Sequence, residues 1–249
     1  MSNQQTFENP SEERLPLVVI LGPTAVGKTD LTIELANELN GEIVSADSRL
    51  LYRGMDIGTA KPTKEQRQIV PHHLIDVANP DEIWSLTLFQ REALNVIDDI
   101  HARNKMPFLV GGTGQYIHAI VEAWHIPEVK PDFQLRTALE NWATTIGKEG
   151  LHSRLSVIDP VGAANIDYRN LRRTIRALEV IFLSGQRFSA QRQKGTSPYN
   201  TILIGMSISR TELYARIDSR IDEMLAAGFV AEVESLLSSG YPPDLPTFS

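Results

Sequence analysis

Between Leu15 and Leu21 the chain is almost unbroken apolar, the pattern of a strand buried on both faces within a parallel sheet. A glycine-rich loop follows. A helical period then runs through Leu39 and stops at Asn40-Gly41. Glu42 to Ala46 predicts a second strand, which delivers Asp47 at its C-terminal end. Gly54 to Pro80 reads as loop. Ser85 to Arg103 predicts an amphipathic helix with Ser85 as N-cap. Pro107 to Val110 predicts a third strand, ending in Gly111-Gly112-Thr113-Gly114, and a helix then runs to about Trp124. The texture changes at 126–196, which holds two or three helical patterns and no strand. Strand character returns over Thr201 to Ile208, followed by a helix through Ala227, a cap at Gly228 and a last helix to about Ser238. The expectation is an α/β core over 14–125 and 197–249 with a helical insert over 126–196.

Composition narrows the chemistry. The chain has 249 residues and no cysteine, which excludes disulfides, thiolate metal sites and cysteine nucleophiles. The polar, acidic residues 1–13 predict a disordered leader without a signal core. No apolar run reaches the length of a membrane span, and the expectation is a cytoplasmic protein. Net charge is −7, against nucleic acid at first sight. Yet Arg169, Arg172, Arg173, Arg176, Arg187, Arg192 and Lys194 crowd one segment in which Glu179 is the single acid. A local basic footprint outweighs an acidic total.

The glycine-rich loop is Gly22-Pro23-Thr24-Ala25-Val26-Gly27-Lys28-Thr29. Placed between a strand and a helix, this Gly-x4-Gly-Lys-Thr pattern is a phosphate-binding P-loop. Its glycines let backbone N–H groups converge on phosphate oxygens, and the helix N-terminus adds partial positive charge. Lys28 supplies a formal charge and Thr29 a hydroxyl ligand for Mg²⁺. The fold class is therefore a P-loop NTPase-like parallel sheet flanked by helices. The strand before Gly111 ends in Gly-Gly, where an ATPase usually places its Mg²⁺-organising Asp. Asp47, at the end of a neighbouring strand, faces the ligand crevice and can accept a proton. Its bland alternative is a cap on the following turn. Two classes fit: a small-molecule kinase, or a group transferase whose P-loop holds a diphosphate leaving group.

Arg169, Arg172, Arg173 and Arg176 fall at i, i+3, i+4 and i+7, on one face of a helix, with Leu171, Ile175, Leu178 and Phe182 facing the core. Such a face suits a phosphate backbone, and the alternative is a merely solvated basic surface. Arg216 and Arg220 form a second basic pair, read either as surface salt bridging or as a diphosphate contact. His72, His73 and His118 lack metal-ligand spacing and read as structural.

Taken in order, several runs resemble the tRNA dimethylallyltransferase (tRNA isopentenyltransferase) family. They are the P-loop, Ser45-Ala46-Asp47-Ser48, Tyr52-Arg53-Gly54-Met55-Asp56-Ile57-Gly58-Thr59-Ala60-Lys61-Pro62, Pro71-His72-His73-Leu74-Ile75-Asp76, Gly111-Gly112-Thr113-Gly114 and Arg176-Ala177-Leu178-Glu179. The resemblance covers nearly everything from Leu15 onward. It implies transfer of a dimethylallyl group from dimethylallyl diphosphate to N6 of adenosine 37 in the anticodon stem-loop of tRNA, by an enzyme acting as a monomer with Mg²⁺ as cofactor. The P-loop would hold the diphosphate and Mg²⁺ would sit at Thr29. Asp47 would accept the N6 proton, with Thr113 and Arg216 orienting or neutralising the reacting groups. The base would be flipped into a tunnel, as enzymes acting on a base require. Asp47, Ser48, Arg49, Leu50, Thr113, Arg136, Arg172, Arg173, Thr174, Ile175 and Arg176 would touch tRNA. Two departures stand out. Many relatives have Gln at the position of Leu50. The sequence also stops at Ser249 where relatives continue, which suggests a truncated form. Rival readings are an adenylate isopentenyltransferase acting on free AMP, ADP or ATP, a P-loop kinase, and a non-catalytic RNA-binding module.

Overall fold

The structure is a computed structural model that describes residues 14–127, 129–191 and 194–248. The 1–13 leader and Arg192 lie outside the described residues. In chain order the elements are β1 (Leu15–Leu21), α1 (Lys28–Glu38), β2 (Gly41–Ser45), α2 (Lys64–Ile69), β3 (His72–His73), α3 (Leu86–Ala102), β4 (Met106–Gly111), α4 (Gly114–Val121), α5 (Phe133–Ile158), α6 (Pro160–Ala164), α7 (Leu171–Ser184), α8 (Phe188–Gln191), β5 (Tyr199–Gly205), α9 (Arg210–Ala226) and α10 (Phe229–Ser238). A 3₁₀ turn follows at Pro246–Phe248.

The chain divides into two compact units. The first comprises the described residues of 1–84, 91–117 and 197–249. It holds a parallel sheet of order β3-β2-β4-β1-β5. Leu17 to Ile20 of β1 are buried, as the apolar run requires of an inner strand. Val18, Ile20, Ile33, Ala36, Ile43, Val70 and Phe108 pack into one cluster. β5 is an edge strand, with Ile202 and Leu203 exposed. Two elements escape the hydrophobic pattern. β3 is two histidines long and pairs only with β2. α2 has no buried residue and is fixed by a capping box, in which Thr63 Oγ1 accepts from the Gln66 N–H and Gln66 Oε1 accepts from the Thr63 N–H. Thr63-x-x-Gln66 is a readable signal for that helix.

The second unit comprises residues 85–90 and 118–196. Leu139, Leu151, Leu155, Ile175, Leu178 and Ile181 form its core with smaller neighbours. α5 breaks at Gly147, whose φ of 79° and ψ of 161° end one helix and start another, so the unit holds more helices than the two or three expected. Asn170 caps α7, its side chain accepting from the Arg173 N–H. Arg169 therefore precedes the helix and pairs with Asp167 at 2.6 Å, correcting the four-arginine stripe. Phe182 is exposed, not core-facing. Among the described residues no helix is long and apolar enough to cross a membrane.

Candidate active site

The P-loop leaves the C-terminal end of β1 and closes on α1. Ala25 (φ 63°) and Gly27 (φ 93°) are both left-handed, a conformation that costs a non-glycine residue roughly 1 kcal/mol or more. That strain turns the loop back on itself, as a phosphate cradle needs. Lys28 Nζ donates to the carbonyls of Gly22 at 2.9 Å and Pro23 at 2.8 Å, closing the loop into a ring. Gly22 touches the end of β5, since a Cβ there would stand 2.7 Å from the Met206 carbonyl oxygen. Of the Gly-Gly end of β4 only the first glycine has a steric cause: a Cβ on Gly112 would meet the Gly22 carbonyl oxygen at an ordinary 3.7 Å, whereas one on Gly111 would stand 2.2 Å from the Ala46 carbonyl oxygen. No side chain fits there, so no acid can stand at that position.

Beside this crowded junction β2 delivers Asp47. Its Oδ1 accepts the Arg49 N–H at 2.8 Å, so the turn-capping role is present alongside any chemical one. Thr113 Oγ1 accepts the Ser48 N–H at 3.2 Å and lies 3.4 Å from Ser48 Oγ, joining the end of β4 to the end of β2. Arg216 and Arg220 both lie on α9. Arg216 pairs with Glu212 at 2.9 Å, and its Nη1 is 3.9 Å from where a Gly27 Cβ would sit. Salt bridging and proximity to the P-loop thus hold together. Arg220 Nη2 donates to the Thr59 carbonyl at 3.4 Å.

The charges form one field. Burial pushes the Lys28 ammonium below its ordinary value, the Asp47 carboxylate pulls it back up, and Arg220 lowers it further. Burial likewise lowers Arg220, opposed by Asp47 and Glu223. The buried Tyr116 phenol is raised, first by burial and then by Tyr52 and Asp47. Two cations and one carboxylate share a field at the end of a parallel sheet, the chemistry that can hold an anion beside a proton acceptor. A small cavity of about 40 Å³, room for a water or two, lies beside it. Thr29, Ser45, Leu50 and Val110 are among its lining residues. Leu50 is half-buried at this cavity. Arg49 does not point at open solvent, because its Nη1 donates to the carbonyls of Pro246 and Thr247.

The remaining expected RNA contacts belong to the second unit. Arg172 and Arg173 are exposed. Thr174 and Ile175 are buried in the core, so their side chains offer no surface for RNA. Arg136 and Arg176 both grip the fully buried Glu179, at 2.8 and 2.6 Å. Burial alone would raise the Glu179 carboxyl, but these two arginines and the Asp132 N–H hold it below its ordinary value. Arg136 and Arg176 are therefore part of the unit's own frame.

Two groups that sequence reasoning did not single out matter to the site. Lys61 is buried, with Nζ 2.6 Å from Asp56 and Asp76 and 2.8 Å from the Tyr52 carbonyl. Its motif was visible, but its partners are set by folding. Glu232 caps the same loop from α10, and no local signal near Glu232 names a partner 174 residues upstream.

The family model for IPP transferase matches residues 50–249. The chain belongs to the IPP transferase family. It is 53% identical over 235 residues to a tRNA dimethylallyltransferase of Roseiflexus sp. (strain RS-1), covering 94% of this chain and 77% of that protein. It is 49% identical over 237 residues to that of Thermomicrobium roseum, covering 95% of this chain and 72% of the relative. Among solved structures it is similar to the full-length tRNA isopentenylpyrophosphate transferase of Bacillus halodurans, with 45% identity, a TM-score of 0.65, and 93% and 73% of the two chains covered. It is also similar to a eukaryotic dimethylallyltransferase acting on tRNA, with 29% identity, a TM-score of 0.76, and 90% of this chain and 56% of that one covered. Membership makes this chain a transferase, and the resemblance read from its motifs holds.

Proposed function

We propose that this chain transfers the dimethylallyl group of dimethylallyl diphosphate to N6 of adenosine 37 in tRNA and releases diphosphate. The observation that carries the reading is a P-loop closed by Lys28 on the Gly22 and Pro23 carbonyls, in a chain of the IPP transferase family. A kinase of this fold needs an acid to organise its metal, and the Gly111-Gly112 end of β4 carries none at the usual place. A diphosphate leaving group needs cations and N–H donors, which the P-loop, Lys28 and Arg220 supply, with Arg216 beside them. In the reaction the N6–C1 bond forms, the C1–O bond to diphosphate breaks, and the N6 proton passes to the Asp47 carboxylate. Thr113, hydrogen-bonded to Ser48, holds its hydroxyl beside Asp47 to orient the amine.

The donor set here also fits Mg²⁺. The Thr29 hydroxyl offers one hard oxygen, which would leave the remaining positions to waters and phosphate oxygens. Thr29 would hold the ion, which when bound neutralises charge on the diphosphate. The helical unit binds the anticodon stem-loop through Arg172 and Arg173, and the enzyme works as a cytoplasmic monomer. The core and the helical insert are the two functional domains.

The assay supplies ¹⁴C-dimethylallyl diphosphate and Mg²⁺ with either unmodified tRNA or AMP. Label is expected in tRNA and lost when adenosine 37 is replaced by guanosine. Label in AMP alone would move the chain to the adenylate class, and phosphate transfer from ATP to a small acceptor, without label, would make it a kinase.

Replacing Arg172 and Arg173 together by alanine is expected to weaken stem-loop binding. The slope of log K against log salt should flatten by about 1 to 2, because each arginine neutralises one phosphate. Fluorescence anisotropy at several salt concentrations reads it. An unchanged slope removes these two residues from the interface.

A further inference from the structure

The Gly54 to Lys61 loop is fastened from α10. Glu232 Oε2 accepts the N–H groups of Asp56 at 2.8 Å and Ile57 at 2.7 Å, and Oε1 accepts that of Gly58 at 3.0 Å. Three successive N–H groups on one carboxylate make a backbone nest filled by a side chain from far along the sequence. Packing is close here: a Cβ on Gly58 would stand 2.5 Å from the Phe229 ring, so a larger residue would have to push that ring aside. Lys61 ties the other end of the loop to Asp56, Asp76 and the Tyr52 carbonyl.

The next residue after the nest is Thr59, whose carbonyl accepts from Arg220. A carboxylate in that place would cancel the guanidinium charge. A carbonyl orients it and leaves the charge for an anion. The Glu232 charge is meanwhile spent on neutral backbone donors.

We infer that Glu232 is a positioning residue for the diphosphate end of the site. By seating the Asp56–Gly58 backbone it fixes the Thr59 carbonyl, and through it the direction of Arg220. The inference rests on the reading of the P-loop as a diphosphate site.

The test is isothermal titration of the full chain with inorganic pyrophosphate and Mg²⁺, for the wild type, Glu232→Gln, Arg220→Met and the double variant, with a thermal melt of each. Glu232→Asp, which keeps the charge but withdraws it by one methylene, is a further arm that does not depend on the Gln variant folding. Expected are a loss of about tenfold in affinity for Glu232→Gln and for Arg220→Met, and no more than about twofold further loss when Glu232→Gln is added to Arg220→Met. Losses that multiply in the double variant, or a Glu232→Gln affinity equal to wild type while Arg220→Met is weakened, overturn the inference and leave the diphosphate reading intact. A wild type that does not bind pyrophosphate overturns both. A merely structural Glu232 would lower the melting temperature without any coupling to Arg220.

Discussion

Asp47→Asn lowers the rate of dimethylallyl transfer by about 10²- to 10⁴-fold, the usual worth of a positioned general base, while pyrophosphate affinity stays close to wild type. The choice of asparagine follows from the geometry. Asp47 Oδ1 accepts the Arg49 N–H, and the asparagine amide oxygen accepts the same bond. The turn that carries Ser48 to Thr113 is therefore preserved, and only the basicity is removed. Asp47→Ala removes both, and its additional loss measures the turn. Single-turnover transfer to tRNA under saturating donor gives the number directly. An Asn variant with wild-type rate would reduce Asp47 to a turn residue, and the proton would need another acceptor.

The second large effect concerns stability. Glu42 enters β2 with its side chain almost wholly buried, contacted by Arg103, by Lys105 Nζ at 2.8 Å and by His73 Nε2 at 2.7 Å. Hydrogen bonding to Arg103 holds the Glu42 carboxyl far below its ordinary 4.5, against the opposing pull of burial. Removing one partner of such a cluster leaves buried polar groups uncompensated. The general cost is about 3–5 kcal/mol. Arg103, Lys105 and His73 each keep part of their surface in water, so Glu42→Gln is expected near the lower end of that range, at about 3 kcal/mol. The pH dependence has a fixed sign. A group whose folded value is depressed stabilises the fold above its unfolded value, and that contribution fades as pH falls toward the folded value. The gap between wild type and Glu42→Gln should thus be full at pH 7 and shrink steadily below about pH 4.5. Urea unfolding at pH 7, 5 and 3 reads it, and a gap that widens on acidification contradicts the assignment. Glu42 and Asp47 are separated by roughly 16 Å of extended strand, at opposite ends of β2 and its continuation, so the folded Gln variant should retain pyrophosphate binding.

The elements with strong periodicity were readable. β1 is buried where the apolar run lies, and α3 starts beside Ser85, whose hydroxyl accepts the Leu88 N–H. Boundaries moved by one to three residues where pairing rather than hydrophobic pattern sets the end, as β5 stops at Gly205 rather than Ile208 because its partner β1 ends at Leu21. Arg169 was misplaced because helical spacing was extended past Asn170, a side chain well suited to cap. Phe182 was misplaced because α7 buries two adjoining faces, including Thr174, Ala177 and Val180, and leaves its C-terminal turn exposed. Arg136 and Arg176 carried the charge of an RNA contact, but a buried carboxylate claims them. Charge type is written locally, whereas the partner is chosen by packing.

The same division runs through the whole site. The order of residues alone determined the P-loop, Asp47 at a strand end, the Gly-Gly end of β4 and the motif order that places the chain in its family, because each depends on spacing within one short segment. Only the tertiary structure decided that Gly111 has no room for a side chain, that Arg220 and Asp47 share the field of Lys28, and that Glu232 seats the Asp56–Gly58 backbone. Those facts depend on distances between residues far apart in the chain, and such distances exist only once the sheet and its helices have packed.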